Sequence, residues 1–291
     1  MPNRPFQVDA DAYPFQSHWF ERQGSAMHYV DEGEGIPVVM CHGNPTWSYL
    51  YRNIIKALRG QCRCIAYDLP GFGMSEHPSG YAYTPQEHAQ WVEALLIDHL
   101  KLDQFVLVMQ DWGGPIGLRV ATRNPDRVAG MVISSTWAWK TNLLGKVFSS
   151  ILGSGLGRSL ILNRNLFAKT LVPMFMNPES RKRIDLSAYT KPFPTPESRM
   201  GTAVFPKQIV AATPWLEEIE SQLHRLADKP VHFVFGLKDL ITKPPEIKRW
   251  LSHFPDATVI KEPSAAHYTQ EDCPEHYVTA VRNILAKTAS T

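Results

Sequence analysis

Val106-Leu107-Val108-Met109-Gln110-Asp111-Trp112-Gly113-Gly114-Pro115 decides the reading of this chain. An apolar run from Phe105 to Met109 has the length and the β-branched content of a buried strand. It passes through a glycine-rich turn into Pro115–Arg123, whose apolar spacing is helical. Strand, sharp turn and helix in that order form the setting of a nucleophile elbow. In the generic elbow a serine stands between two glycines. Here Asp111 is central, Met109 replaces the first glycine and Gly113 supplies the second. A carboxylate is a competent nucleophile towards carbon, and the ester it forms must then be hydrolysed. Asp111 could equally do no more than cap the helix that follows.

Similar apolar runs recur outward from this point. They are Ile36–Cys41, Arg63–Tyr67, Val128–Ile133, Val231–Phe235 and Ala257–Ile260. Runs of this kind, without polar alternation, are buried on both faces, as in a parallel sheet. Helical stretches lie between them. Thr84-Pro85-Gln86-Glu87 has the form of a capping box with proline at the first helical position. The alternation predicts an α/β fold with a mostly parallel central sheet flanked by helices. It fails between Trp137 and Pro214, where prolines, loops and helical spacing replace the strands. We read 137–214 as a helical cap (lid) inserted into a core formed by 1–136 and 215–291.

Ligands of such sheets sit beyond the carboxyl ends of the strands, so the residues ending each run are the candidates. Cys41-His42-Gly43-Asn44-Pro45 follows the first run. Its tight loop can aim the Asn44 backbone N–H at the site as half of an oxyanion hole, with the N–H of Trp112 as the other half. The same segment also has the composition of a plain turn. Of the late histidines, His253 and His276 fall in helical stretches, whereas His267 follows the last strand-like run and suits a general base. The acid that orients it follows by elimination. No Asp or Glu occurs between Asp126 and Glu179, so the run ending at Ile133 supplies none. Asp239, after Val231–Phe235, is the next carboxylate at a strand end.

Composition sets the outer limits. The chain has 291 residues, a net charge of +2 and an ordinary apolar fraction of 44%, which excludes a disordered chain. That balance gives no reason to expect nucleic acid or a membrane as partner. No apolar run is long enough to cross a bilayer, and residues 1–30 lack the apolar stretch of a secretory signal. The four cysteines, Cys41, Cys62, Cys64 and Cys273, fit neither a zinc site nor a disulfide framework, so reduced thiols in a cytoplasmic protein are expected. No phosphate-cradling loop and no metal spacing is present. Neither a metal nor an organic cofactor is expected.

Taken together, these segments resemble the α/β-hydrolase superfamily and, within it, the haloalkane dehalogenases. The resemblance rests on His42-Gly43-Asn44-Pro45-Thr46, Asp68-Leu69-Pro70-Gly71-Phe72-Gly73, Gln110-Asp111-Trp112-Gly113-Gly114 and His267-Tyr268-Thr269-Gln270-Glu271-Asp272. In the cap it extends to Asn165-Leu166-Phe167, Tyr189 with Pro192-Phe193, and Phe205-Pro206. It implies Asp111 as nucleophile, His267 as base, Asp239 as its acid, and Asn44 with Trp112 as halide-binding pair. Phe167, Phe193, Phe205, Pro206 and Ile209 would line the substrate pocket. The Asp-His-Asp set with Asn and Trp is similar to the family's third subfamily, whose members are prone to self-association, so a homo-oligomer is expected. A small halogenated alkane and water would be the substrates, and alcohol and halide ion the products. Three rivals share parts of this pattern. An epoxide hydrolase usually needs two cap tyrosines, and 137–214 holds one, Tyr189. A haloacetate dehalogenase would need arginines such as Arg119, Arg158 or Arg164 at the substrate. A non-catalytic binding protein would have little use for an intact triad.

Overall fold

A computed structural model describes residues 5–240 and 243–288. The centre is an eight-stranded sheet in the order β1-β2-β4-β3-β5-β6-β7-β8. Its strands are β1 (His18–Arg22), β2 (Ser25–Glu32), β3 (Pro37–Cys41), β4 (Arg63–Tyr67), β5 (Phe105–Gln110), β6 (Val128–Ser134), β7 (Val231–Gly236) and β8 (Thr258–Glu262). The β1–β2 and β2–β4 pairs are antiparallel, and the rest are parallel. All residues of β5, β6 and β7 are buried, because helices cover both faces. That double burial is why those runs carry no polar alternation.

Six strands lie where the sequence expects them, within two residues at either end. The β1–β2 hairpin is additional. Its strands mix polar and apolar residues, as a sheet margin does. The turn between them places Gln23 and Gly24 both at positive φ, 53° and 74°, the backbone of a tight hairpin turn whose twist matches the flanking strands.

The capping box at Thr84 is present, with Thr84 accepting from the Glu87 N–H and the Glu87 carboxylate accepting from the Thr84 N–H. Between β6 and β7 the chain is helical. The Leu143–Leu152 and Gly155–Arg164 helices, several short turns and the Met200–Ala211 helix cover the carboxyl ends of the strands. The next helix, Thr213–Gln222, packs instead on the Gly113–Arg123 helix beside the sheet. Arg119 of the latter meets Glu218 at 2.6 Å. Two buried apolar clusters lie on the two faces of the sheet. All four cysteines are buried and free, and no described helix is long and apolar enough to cross a membrane.

Candidate active site

Asp111 stands one residue beyond β5 with φ of +50°, a conformation that costs energy in any residue but glycine. Its backbone is pinned on both sides. The Asp111 N–H donates to the Ser135 carbonyl at 3.1 Å, and the Thr136 hydroxyl donates to the Asp111 carbonyl at 2.6 Å. The end of β6 thus holds the elbow, and the carboxylate points beyond the sheet. Asp111 Oδ1 accepts from the Asn44 backbone N–H at 2.8 Å. A Cβ at Gly43 would come within 2.3 Å of that oxygen and 2.7 Å of the Trp112 nitrogen, so only glycine lets the two loops approach this closely.

The other carboxylate oxygen, Oδ2, lies 3.7 Å from His267 Nε2. On the far side of the ring, Nδ1 is 3.2 Å from Asp239 Oδ1. All three side chains are nearly closed to solvent. Burial alone would lower the imidazole pKa, but the charges of Asp239 and Asp111 outweigh it and push the pKa up to about 10. The His267 N–H donates to the Phe175 carbonyl at 3.1 Å, which ties the histidine loop to the segment between β6 and β7.

These groups form the floor of a mainly apolar cavity of about 180 Å³, which Asn44, Asp111, Trp112, Asp239 and His267 all line. The Trp112 ring is held from behind by Phe205, stacked at 5.0 Å, and edge-on by Trp137 at 5.1 Å. Of the five residues named above for the pocket, Phe167, Pro206 and Ile209 line the cavity walls. Phe205 and Phe193 do not. Phe205 is spent on supporting Trp112, and Phe193 packs against Phe72 at 6.0 Å, away from the cavity.

Other lining residues escaped the sequence reading. Trp137 lies three residues beyond the end of β6, and its buried indole N–H has no acceptor. Phe148, Leu171 and Phe175 supply further apolar wall. Gln110, the last residue of β5, is fully buried, and its amide nitrogen lies 2.8 Å from His267 Nε2. Its place at the end of a fully buried strand is the signal in the sequence that marks it. Tyr189 is not at the cavity. Its hydroxyl donates to Glu271, which also binds Arg52. Arg119 is engaged with Glu218, and neither Arg158 nor Arg164 lines the cavity. Among the described residues no cluster of metal-ligating side chains occurs.

Comparison with known proteins agrees with this architecture. The alpha/beta hydrolase fold family profile matches residues 36–274. Haloalkane dehalogenase 2 of Mycobacterium tuberculosis is 42% identical over 279 residues, covering 95% of this chain and 97% of that protein. A cis-3-alkyl-4-alkyloxetan-2-one decarboxylase of Shewanella oneidensis is 32% identical, covering 94% of this chain and 90% of that one. The crystal structure of haloalkane dehalogenase DatA from Agrobacterium tumefaciens superposes with a TM-score of 0.82 at 28% identity, covering 94% of this chain and 97% of that one. By fold, length and sequence, the chain belongs to the haloalkane dehalogenase family of the α/β hydrolases.

Proposed function

We propose that this protein hydrolyses the carbon–halogen bond of halogenated alkanes, with Asp111, His267 and Asp239 as its catalytic residues. The observation that carries the reading is the Asp111 carboxylate itself, with one oxygen held by the Asn44 N–H and the other facing His267 beneath an apolar cavity. Oδ2 attacks the halogen-bearing carbon from behind. The carbon–halogen electron pair leaves with the halide, and Asp111 becomes a neutral alkyl ester. The departing halide is a large, weakly basic anion. It is received by the Trp112 indole N–H and the Asn44 side-chain amide, donors that count for more in a dry pocket than in water.

Alkylation removes the charge on Asp111 that had helped to hold His267 protonated. The ring then gives up its proton to solvent and serves as base, taking a proton from water as the water oxygen adds to the ester carbon. Charge builds on Oδ1 in this step, where the Asn44 N–H already donates. Collapse breaks the bond to the alkoxide, which takes the hydroxyl proton of the adduct, so the alcohol leaves, the carboxylate returns and His267 is protonated beside it again. Asp239 keeps the ring turned and stabilises its charged form.

The rival readings fit less well. Tyr189 is held by Glu271 and cannot protonate an epoxide oxygen at the cavity. Among the described residues no arginine lines the cavity to hold a haloacetate carboxylate. We place the enzyme in the cytoplasm, where four buried free thiols persist. The test is release of bromide and acid from a panel of short primary bromoalkanes by the purified protein. Bromide release in step with alcohol supports the reading. Turnover of an epoxide without halide release from any bromide overturns it.

A further inference from the structure

The outer face of the cap is apolar where a solvated helix is normally polar. On the Leu143–Leu152 helix, Leu143, Val147 and Ile151 recur at four-residue spacing and face solvent, with Leu143 77% exposed, while Ser149 and Leu152 form the buried side. The neighbouring Gly155–Arg164 helix continues the pattern with Leu156, 73% exposed, and Leu160. The two helices pack together. Leu144 and Leu240, also exposed, line the catalytic cavity as well, so the cavity opens beside this face.

Charge adds a second, independent observation. Lys140, Lys146, Arg164 and Lys169 are exposed on the same covering segment. Among the described residues none of them makes an ion pair, whereas seven of the fourteen other described arginines have carboxylate partners. No acid occurs between Asp126 and Glu179 to neutralise them. Glu246, which lines the cavity with Leu144, accepts from the Asn142 amide at 2.8 Å. The net charge of +2 averages this distribution away, which is why the total gave no hint of a membrane partner.

We infer that this face docks on a lipid bilayer bearing anionic headgroups. Leucine and isoleucine enter the headgroup boundary, and the surrounding lysines and arginines meet the lipid charge, as in helices that lie in the interface plane. A second copy of the chain is the poorer occupant. A symmetric contact sets a patch against itself, and here that would bring unpaired cations together with no acid between them. Docking turns the cavity mouth towards the phase in which apolar molecules accumulate. The surface contact stands independently of the reaction assigned above.

Flotation of the full-length protein with vesicles tests the inference. It should rise with vesicles of phosphatidylcholine and phosphatidylglycerol, not with phosphatidylcholine alone, and rising salt should release it. The double variant Val147→Asp/Leu156→Asp lies outside the cavity, so it should keep its melting temperature and its turnover of a short bromoalkane. Its vesicle-bound fraction should fall at least about tenfold, since two apolar side chains are then lost from the buried face. Lys146→Glu/Lys169→Glu should lose the preference for anionic lipid. Failure of the native protein to float overturns the inference, as does equal flotation of both variants. A change in solution mass on Val147→Asp/Leu156→Asp, without vesicle binding by the native protein, would make the face a self-association surface and also overturn it.

Discussion

The side-chain amide nitrogen of Gln110 lies 2.8 Å from Nε2 of His267, the ring nitrogen that also faces Asp111. It is 3.4 Å from the His267 carbonyl as well, and the amide oxygen has no other partner. An amide can meet either protonation state, donating to a neutral Nε2 or accepting from a charged one. Gln110 thus steadies the ring on the side that Asp239 does not reach. Replacing it with leucine should slow hydrolysis of the alkyl-enzyme by up to about tenfold, the value of one hydrogen bond. Alkylation, which does not use the ring, should change far less. Rapid-quench kinetics separate the two steps, and equal slowing of both would mark Gln110 as a packing residue only.

The same separation applies to the triad. His267→Phe should release one halide per site and stop, leaving an alkyl group on Asp111 that peptide mass spectrometry locates. Asp239→Asn should retain alkylation and lose most of the hydrolysis rate, by a factor on the order of 10³ or more, because the ring loses both its orientation and its counter-charge. An adduct on any residue other than Asp111 contradicts the proposed nucleophile.

The pH dependence follows from the two carboxylates that flank His267. Its pKa of about 10 includes a contribution from the charge on Asp111. Asp111→Asn should therefore lower the ring pKa, which nitrogen NMR of labelled histidine would register directly. The effect on stability has a definite sign. A pKa raised in the folded state gives stability that is fully present below the ordinary imidazole value, and it is lost as pH rises towards 10. The melting temperature of the native protein should fall over that interval more steeply than that of Asp111→Asn. Parallel curves would mean that Asp111 does not set the titration.

Away from the chemistry, Glu271 accepts from Arg52 and from the Tyr189 hydroxyl, both at 2.5 Å, and all three are buried. This joins the helix after β3, the histidine loop and the segment between β6 and β7. Removing one member leaves an uncompensated buried charge. Arg52→Met should cost about 3–5 kcal/mol of unfolding free energy, and Arg52→Met/Glu271→Leu should cost less than the two single changes added together. Urea titration of the four proteins gives both numbers.

Much of this organisation was legible in the residues because burial imposes simple patterns. β5, β6 and β7 are enclosed on both faces and read as unbroken apolar runs, so the strand ends, and Asn44, Asp111, Asp239 and His267 with them, could be located by counting. β1 and β2 lie at the sheet margin, where one face is partly wet and the pattern is diluted. The cap was less legible. Phe193 and Phe205 are expected at the substrate only through the resemblance of their motifs, Pro192-Phe193 and Phe205-Pro206. Helical spacing does not reveal that Phe205 spends its ring on Trp112 and Phe193 on Phe72. Gln110 was obscured for a different reason. Its role depends on a loop more than a hundred residues later in the chain returning to within bonding distance, and no local pattern records that.

The groups proposed to react come from the strand ends, while most of the cavity wall comes from the segment between β6 and β7. The sheet's hydrogen-bond ladder does not pass through Phe148, Leu171 or Ile209. Changes at those positions are free to alter which molecules enter without disturbing how Asp111 is held. One set of strand ends can therefore serve as a fixed chassis beneath interchangeable covers, so that substrate range and chemical competence drift separately during evolution or in the laboratory.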